Sequence, residues 1–219
     1  MNAAGASLID LSGKVILVTG GGNGLGADMA SQFSRLGARV ILADIAQEMA
    51  EATAAKVGNG ALGVYCDIAN AESVAQLADT ARNAFGRVDA LVNNAAHADL
   101  GGDLDLLGTD PEIWSRTVDV NLTCTMHVSR AIVPIMLEGG GGSIATIVSR
   151  AGIAPPRSAR RLAYSTTKAG LIMLARHMAV AYGKQGIRSN AIAPGTIETE
   201  RMLRELSEER LTQSRANVL

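Results

Sequence analysis

Residues 14 to 26 read KVILVTGGGNGLG, a short β-rich apolar run that passes into a glycine loop and then into a helical pattern. A run of this kind is apolar at consecutive positions, as a strand covered on both faces must be. After the loop, Leu25, Met29, Phe33 and Leu36 recur at helical spacing, and Gly37 ends the helix. The alternation of strand and helix then continues. Further strands are expected at 39–44, 61–66, 88–94, within GGGGSIATIVS and within GIRSNAIAP. Helices are expected to about Lys56, over Val74 to Phe85, from about Asp110 (with Pro111 in the first turn) to Leu137, and from Tyr164 to about Tyr182. Regular alternation of strand and helix predicts a parallel sheet with helices on both faces, an α/β fold. With 219 residues and no internal repeat or linker, one domain spanning 1–219 is expected, with 1–12 as a loose arm.

Bulk composition removes several classes of function. Hydrophobic residues make up 47% and charged residues 19%, which suits a packed core. The net charge is −1 with no long basic run, and aromatics are 3%, so neither nucleic acid nor an anionic membrane is expected as a partner. No continuous apolar run approaches the ~18 residues of a membrane span, and no secretory leader is read at the N-terminus. Cys66 and Cys124 are far apart and outside any CxxC spacing. They are expected to be free core residues in a reducing, cytoplasmic protein, and no metal-ligand cluster is expected.

The loop TGGGNGLG, Thr19 to Gly26, lies between a first strand and the helix it opens. Glycines there let the backbone approach a phosphate, and the helix N-terminus offers free N–H groups to the anion. Asp44 ends the second strand, where a carboxylate hydrogen-bonds ribose hydroxyls and repels a 2′-phosphate; no Lys or Arg adjoins it. This favours NAD over NADP, against the plain alternative of a solvated strand-end acid. Asp67 ends the third strand. Asn93 and Asn94 end the fourth, at the point where the winding of such a sheet reverses; they either tie loops together there or cap the next segment. Tyr164 and Lys168 are one helical turn apart, on a face that continues through Leu171, Ala175 and Met178. A free tyrosine titrates near ~10, and an ammonium alongside favours the phenolate. The pair reads as a proton donor and its tuner, or as an inert surface couple.

TGGGNGLG, Asp44, CDI at 66–68, NNAA at 93–96, VNL at 120–122, Ser149, YSTTK at 164–168 and PGTIET at 194–199 fall in one order along the chain. That pattern resembles the short-chain dehydrogenases/reductases. The resemblance implies a Rossmann-like, doubly wound sheet of strand order 3-2-1-4-5-6 and an oxidoreductase that moves a hydride between NAD(H) and a secondary alcohol or ketone. It implies catalytic roles for Asn121 (fixing a water in a proton relay), Ser149 (holding the substrate oxygen), Tyr164 (general acid or base) and Lys168. It also implies cofactor contacts from Gly20, Asn23, Gly24, Leu25, Gly26, Asp44, Ile45, Asp67, Ile68, Asn93, Asn94, Ala95, Tyr164, Lys168, Pro194, Gly195, Ile197 and Thr199, and a homo-oligomer, dimer or tetramer. A non-catalytic NAD-binding scaffold and a nucleotide-sugar epimerase are the rival readings.

The chain departs from the pattern in places. Ala96 replaces a glycine, and Val148 stands where a second serine is common. The segment RAGIAPPRSARRLAY carries Arg150, Arg157, Arg160 and Arg161, which read as an anion-binding group or as a solvated or oligomer-contact face. The usual seventh strand has no counterpart here, so an open edge on strand six is expected, with 196–219 forming a substrate loop and a polar helix-like end.

Overall fold

The computed structural model describes residues 9–198 together with Leu203, Glu208 and Thr212. Of the sequence-based expectations, Thr199, most of the loose N-terminal arm and nearly all of the segment beyond it lie outside the described residues. Six strands form one parallel sheet in the order β3-β2-β1-β4-β5-β6. They are β1 (Val15–Thr19), β2 (Arg39–Asp44), β3 (Leu62–Tyr65), β4 (Ala90–Asn93), β5 (Gly142–Ile147) and β6 (Ile187–Ile192). The helices are α1 (Gly24–Arg35), α2 (Gln47–Val57), α3 (Ala71–Phe85), α4 (Pro111–Val118), α5 (Cys124–Glu138) and α6 (Leu162–Tyr182). This is the Rossmann-like doubly wound architecture.

The central strands are buried because both faces are covered. Leu17, Ile41, Leu91 and Ile144 pack with Leu77 of α3, Ile132 and Met136 of α5 and Met178 of α6. On the opposite face Val18, Val40 and Leu42 pack with Ala30 of α1 and Ala54 of α2. Local chemistry sets the helix ends. Asn70 accepts from the backbone N–H groups of Glu72 and Ser73 to start α3, and Gly86 at φ +70 ends it. Asp110 accepts from Glu112 N–H, with Pro111 in the first turn of α4.

One expected helix is three segments. The run from Asp110 to Leu137 is interrupted by a π turn, Asp119–Thr123, between α4 and α5. A π turn widens the helix by one residue and is common where a side chain has a special role; here it carries the buried Asn121. The combined stretch Pro111–Glu138 is apolar enough for a membrane by composition, but half of its most apolar window is buried within the protein, as in a core helix. Among the described residues β6 pairs with β5 alone, and Asn190 to Ile192 are exposed.

β1 and β4 are neighbours, so the C-terminal ends of these strands form the crevice where the winding reverses. Leu91, fully buried on β4, packs in the core beneath that crevice. Leu91→Ala is expected to cost about 2–5 kcal/mol, read as a lower midpoint in urea unfolding.

Candidate active site

The loops after β1 and β4 are knotted together. Thr19 Oγ1 donates to the Val92 carbonyl and accepts from Asn94 N–H (3.1 Å) and Ala95 N–H (3.2 Å). The Asn94 amide donates to the carbonyls of Thr19 and Gly20, at 3.0 Å each. Gly20 has φ +63, which a side chain resists. A Cβ on Gly26 would collide with the Gly20 carbonyl, so only glycine lets α1 start this close to the turn. Asn94 thus ties the two loops. Asn93 takes no part in that tie, and its side chain faces the other way, donating to Ser129 Oγ of α5 at 3.0 Å. Neighbouring strand residues point to opposite faces, so of the two asparagines expected at the cofactor, Asn94 alone places its side chain on the crevice.

Above the knot lies a cleft of ≈ 1140 Å³. It is lined by Gly20, Asn23, Gly24, Leu25 and Gly26 of the glycine loop, by Asp44, Ile45, Asp67 and Ile68 after β2 and β3, and by Asn94, Ala95 and His97 after β4. Asn23 makes no side-chain cap, which leaves the first-turn amides of α1 to whatever enters the cleft. Asp44 accepts from Gly22 N–H at 2.9 Å and from Ala46 N–H at 3.0 Å. These bonds fix the carboxylate, and each oxygen keeps a further lone pair. Arg116 is the one basic residue among the cleft walls, against the acids Asp44, Asp67, Glu112 and Asp119. Cys66, also a wall residue, is an inert thiol whose pKa burial raises to about 11.

Ser149, Tyr164 and Lys168 stand outside these walls, beside the turn that follows β5. Ser149 accepts from Ala151 N–H at 3.1 Å and caps a short 3-10 turn, Arg150–Gly152. Gly152 lies against α6 so closely that a Cβ would meet the backbone of Lys168. Close packing of the turn on α6 therefore brings the segment carrying Ser149 to the helix that carries Tyr164. Lys168 is 2% exposed, and its ammonium donates to the Ile147 carbonyl at 2.8 Å. It also lies 5.5 Å from the centre of the Tyr164 ring. Burial lowers its pKa from the ordinary 10.5 to about 8.

Asn121 brackets the site from behind. Its Oδ1 accepts from His97 N–H at 2.7 Å, and its amide donates to the His97 carbonyl at 3.0 Å and to Thr167 Oγ1 at 3.2 Å. Its side chain thus ties the β4 loop to α6. Pro194 accepts from Arg150 N–H at 3.0 Å through its carbonyl; Pro194, Gly195 and Ile197 are not walls of the cleft.

Three contributors escaped the sequence reading. Thr167, fully buried, donates to the Tyr164 carbonyl and receives the Asn121 amide; its place inside YSTTK was the available signal. The Arg161 guanidinium lies 5.4 Å from the Tyr164 ring centre, on the face of an arginine cluster read only as a group. Asp103 is 1% exposed and accepts from Ala163 N–H and Tyr164 N–H. It lies some sixty residues away in a loop without periodicity, so no local signal marked it.

A parallel sheet with its glycine loop, acid and knotted asparagine at the switch point defines a dinucleotide-binding α/β protein. The family model of short chain dehydrogenases matches residues 14–210, and the chain belongs to that family. It is 39% identical over 193 residues to a D-threitol dehydrogenase of Mycolicibacterium smegmatis, covering 87% of this chain and 72% of the relative. It is 33% identical over 199 residues to a 7alpha-hydroxysteroid dehydrogenase of Bacteroides fragilis, covering 90% and 76%. The fold is similar to a crystal structure of 3-ketoacyl-(acyl-carrier-protein) reductase from Brucella melitensis complexed with NADH, with TM-score 0.83, 30% identity and coverage of 89% and 80%. The family consists of oxidoreductases that use nicotinamide cofactors.

The Lys168 burial has a measurable cost. The folded chain releases the proton near 8 and the unfolded chain near 10.5. Below pH 8 both forms are charged and the full penalty applies; the unfolded chain binds more protons between these values, so stability rises with pH across that window. The lowered value corresponds to about 3 kcal/mol at pH 7. Lys168→Met is therefore expected to be more stable than the parent at pH 7, with the gap closing as pH rises through 8 to 10.5. Urea unfolding of both proteins at pH 7 and pH 10 checks this.

Proposed function

We propose that the chain is an NAD(H)-dependent dehydrogenase that interconverts a secondary alcohol and a ketone. The observation that carries the reading is the pairing of two features. One is a cleft lined by the glycine loop and by the carboxylates of Asp44 and Asp67, with Arg116 as its one guanidinium. The other is a phenol set beside a buried ammonium next to it. The residues present fit a dinucleotide: Gly26 permits the close approach of α1, the first-turn amides suit a pyrophosphate, and Asp44 suits the ribose hydroxyls. The acid-rich cleft end repels an extra 2′-phosphate, which favours NAD over NADP. Asn23, Gly24, Leu25, Ile45, Asp67, Ile68 and Ala95 would complete the binding wall, and Pro194, Gly195 and Ile197, which follow β6, would add contacts to the cofactor.

When bound, the nicotinamide supplies or receives the hydride. The chain's own residues handle the rest. Tyr164 gives a proton to the ketone oxygen, or takes it from the alcohol, through its phenol. Ser149 donates a hydrogen bond to the same oxygen. Lys168 keeps a positive charge beside the phenol and orients the cofactor ribose. Asn121 and Thr167 fix the loop and the helix on which these groups stand. A small-molecule secondary alcohol or ketone is the substrate, and a dimer or tetramer in a reducing cytoplasm is the working state. The exposed Met173 and Val180 on α6 and the buried free cysteines are in keeping with those two points.

Tyr164→Phe is expected to lower turnover of secondary alcohols by about 10²-fold or more while NADH binding, followed by fluorescence, is unchanged. An active variant would remove the phenol from the mechanism. Asp44→Ala is expected to weaken NADH binding relative to NADPH by about tenfold, the loss of about 1.4 kcal/mol. An unchanged ratio in parallel titrations would leave the NAD assignment without its basis.

A further inference from the structure

Helix α6 begins without a cap of its own. The first turn of a helix leaves backbone N–H groups unpaired, and a Ser, Thr, Asp or Asn just before it normally accepts from them. Here that position is Arg161, which has φ +71 and ψ 41 and offers no side-chain acceptor. A left-handed backbone is costly for a residue with a side chain and persists where surrounding contacts fix it.

Those contacts come from the loop after β4. Ala163 N–H donates to Asp103 Oδ1 and Tyr164 N–H to Asp103 Oδ2, both at 2.9 Å. Arg161 N–H donates to the Asp103 carbonyl at 3.0 Å and Leu162 N–H to the Leu104 carbonyl at 3.1 Å. The Arg160 guanidinium donates to the Gly101 carbonyl at 3.0 Å. Five bonds thus lock residues 160–164 onto residues 101–104. The carboxylate at their centre is 1% exposed, and no ion pair engages it among the described residues. A buried carboxylate is expensive unless hydrogen bonds and a favourable field meet it; two amide donors and the positive end of a 21-residue helix do so.

The two oxygens grip the amide of Tyr164 and the amide just before it. We propose that Asp103 is a positioning residue for Tyr164: it clamps the start of α6 so that the phenol is held between the Arg161 guanidinium and the Lys168 ammonium, 5.4 and 5.5 Å from its ring centre. The same loop includes His97, whose backbone Asn121 holds. One loop therefore sets both the floor of the cleft and the height of the phenol. Asn at 103 keeps one acceptor oxygen and turns a donor toward the other amide; Ala keeps none. The consequence for catalysis rests on the dehydrogenase reading of Tyr164, whereas the clamp itself does not.

The test uses the full chain labelled with 3-fluorotyrosine, whose three tyrosines are Tyr65, Tyr164 and Tyr182. Tyr164→Phe assigns the fluorine resonance of interest. In Asp103→Asn that resonance is expected to move, and to move further in Asp103→Ala, with those of Tyr65 and Tyr182 unchanged. Turnover per NADH-binding site is expected to fall about tenfold in the Asn variant and about 10²-fold in the Ala variant, the effect of a misplaced reacting group. NADH affinity should stay within about twofold, since uniform binding is untouched. An unmoved Tyr164 resonance, or unchanged turnover per site, overturns the proposal. So does a parallel shift of all three resonances with loss of NADH affinity, which marks Asp103 as a general support of the fold. If the Ala variant does not fold, the Asn variant carries the same comparison. If the parent protein turns over no secondary alcohol, the dehydrogenase reading fails by itself, and the fluorine spectra still decide the clamp.

Discussion

The hydroxyl of Thr19 is the point on which the two halves of the sheet are joined. It sits 3% exposed at the end of β1, between β2 and β4, and makes one bond as donor and two as acceptor across to the β4 loop. Asn94 returns two more bonds to the β1 loop. Without them, the divergence of the chain at the switch point would leave polar backbone groups unpaired in a crevice that also has to admit a ligand. The knot removes that conflict. It pairs the backbone from within the protein and leaves the glycine wall of the cleft open.

From that knot the site is built outward by backbone, not by side-chain packing alone. Asn121 reaches the β4 loop from a π turn, and the extra residue of that turn places the asparagine between His97 and Thr167. Lys168 is held under the same roof, with its ammonium against the Ile147 carbonyl. Desolvation works against that charge, as its lowered pKa shows. A buried cation retained at such a cost is understandable where its field acts on a neighbour, and the neighbour within reach is the Tyr164 ring.

What the sequence made legible follows from where the physical signals lie. Strand and helix positions came through because consecutive apolar runs and helical spacing are local and strong, and each expected strand overlaps an observed one. The close approach at Gly26, the anchored Asp44 and the proximity of Lys168 to the Tyr164 ring are legible because each depends on neighbours in sequence or on one helical turn. The π turn did not, because a helix and a helix with one extra residue have almost the same apolar pattern over a turn. The bond of Asn93 to Ser129 is not legible, because it depends on which face of β4 each asparagine takes, a question of register with α5 that no spacing answers.

Asp103 marks the limit most clearly. An aspartate in a loop between a strand and a helix reads as a turn residue, and DLDLLGTDP offers three of them: Asp103, Asp105 and Asp110. Asp110 caps α4 and Asp105 closes its own loop by accepting from Gly108 N–H, both local roles visible in principle from sequence. Asp103 alone is buried, and its partners lie at the start of a helix brought alongside by the whole sheet. Its meaning exists only after the fold has formed. The left-handed Arg161 is the complementary trace: a residue with no reason in its own sequence to take that backbone, held there by the backbone of the same loop. Local propensity and tertiary demand disagree at both positions, and they meet at the phenol on which the proposed chemistry depends.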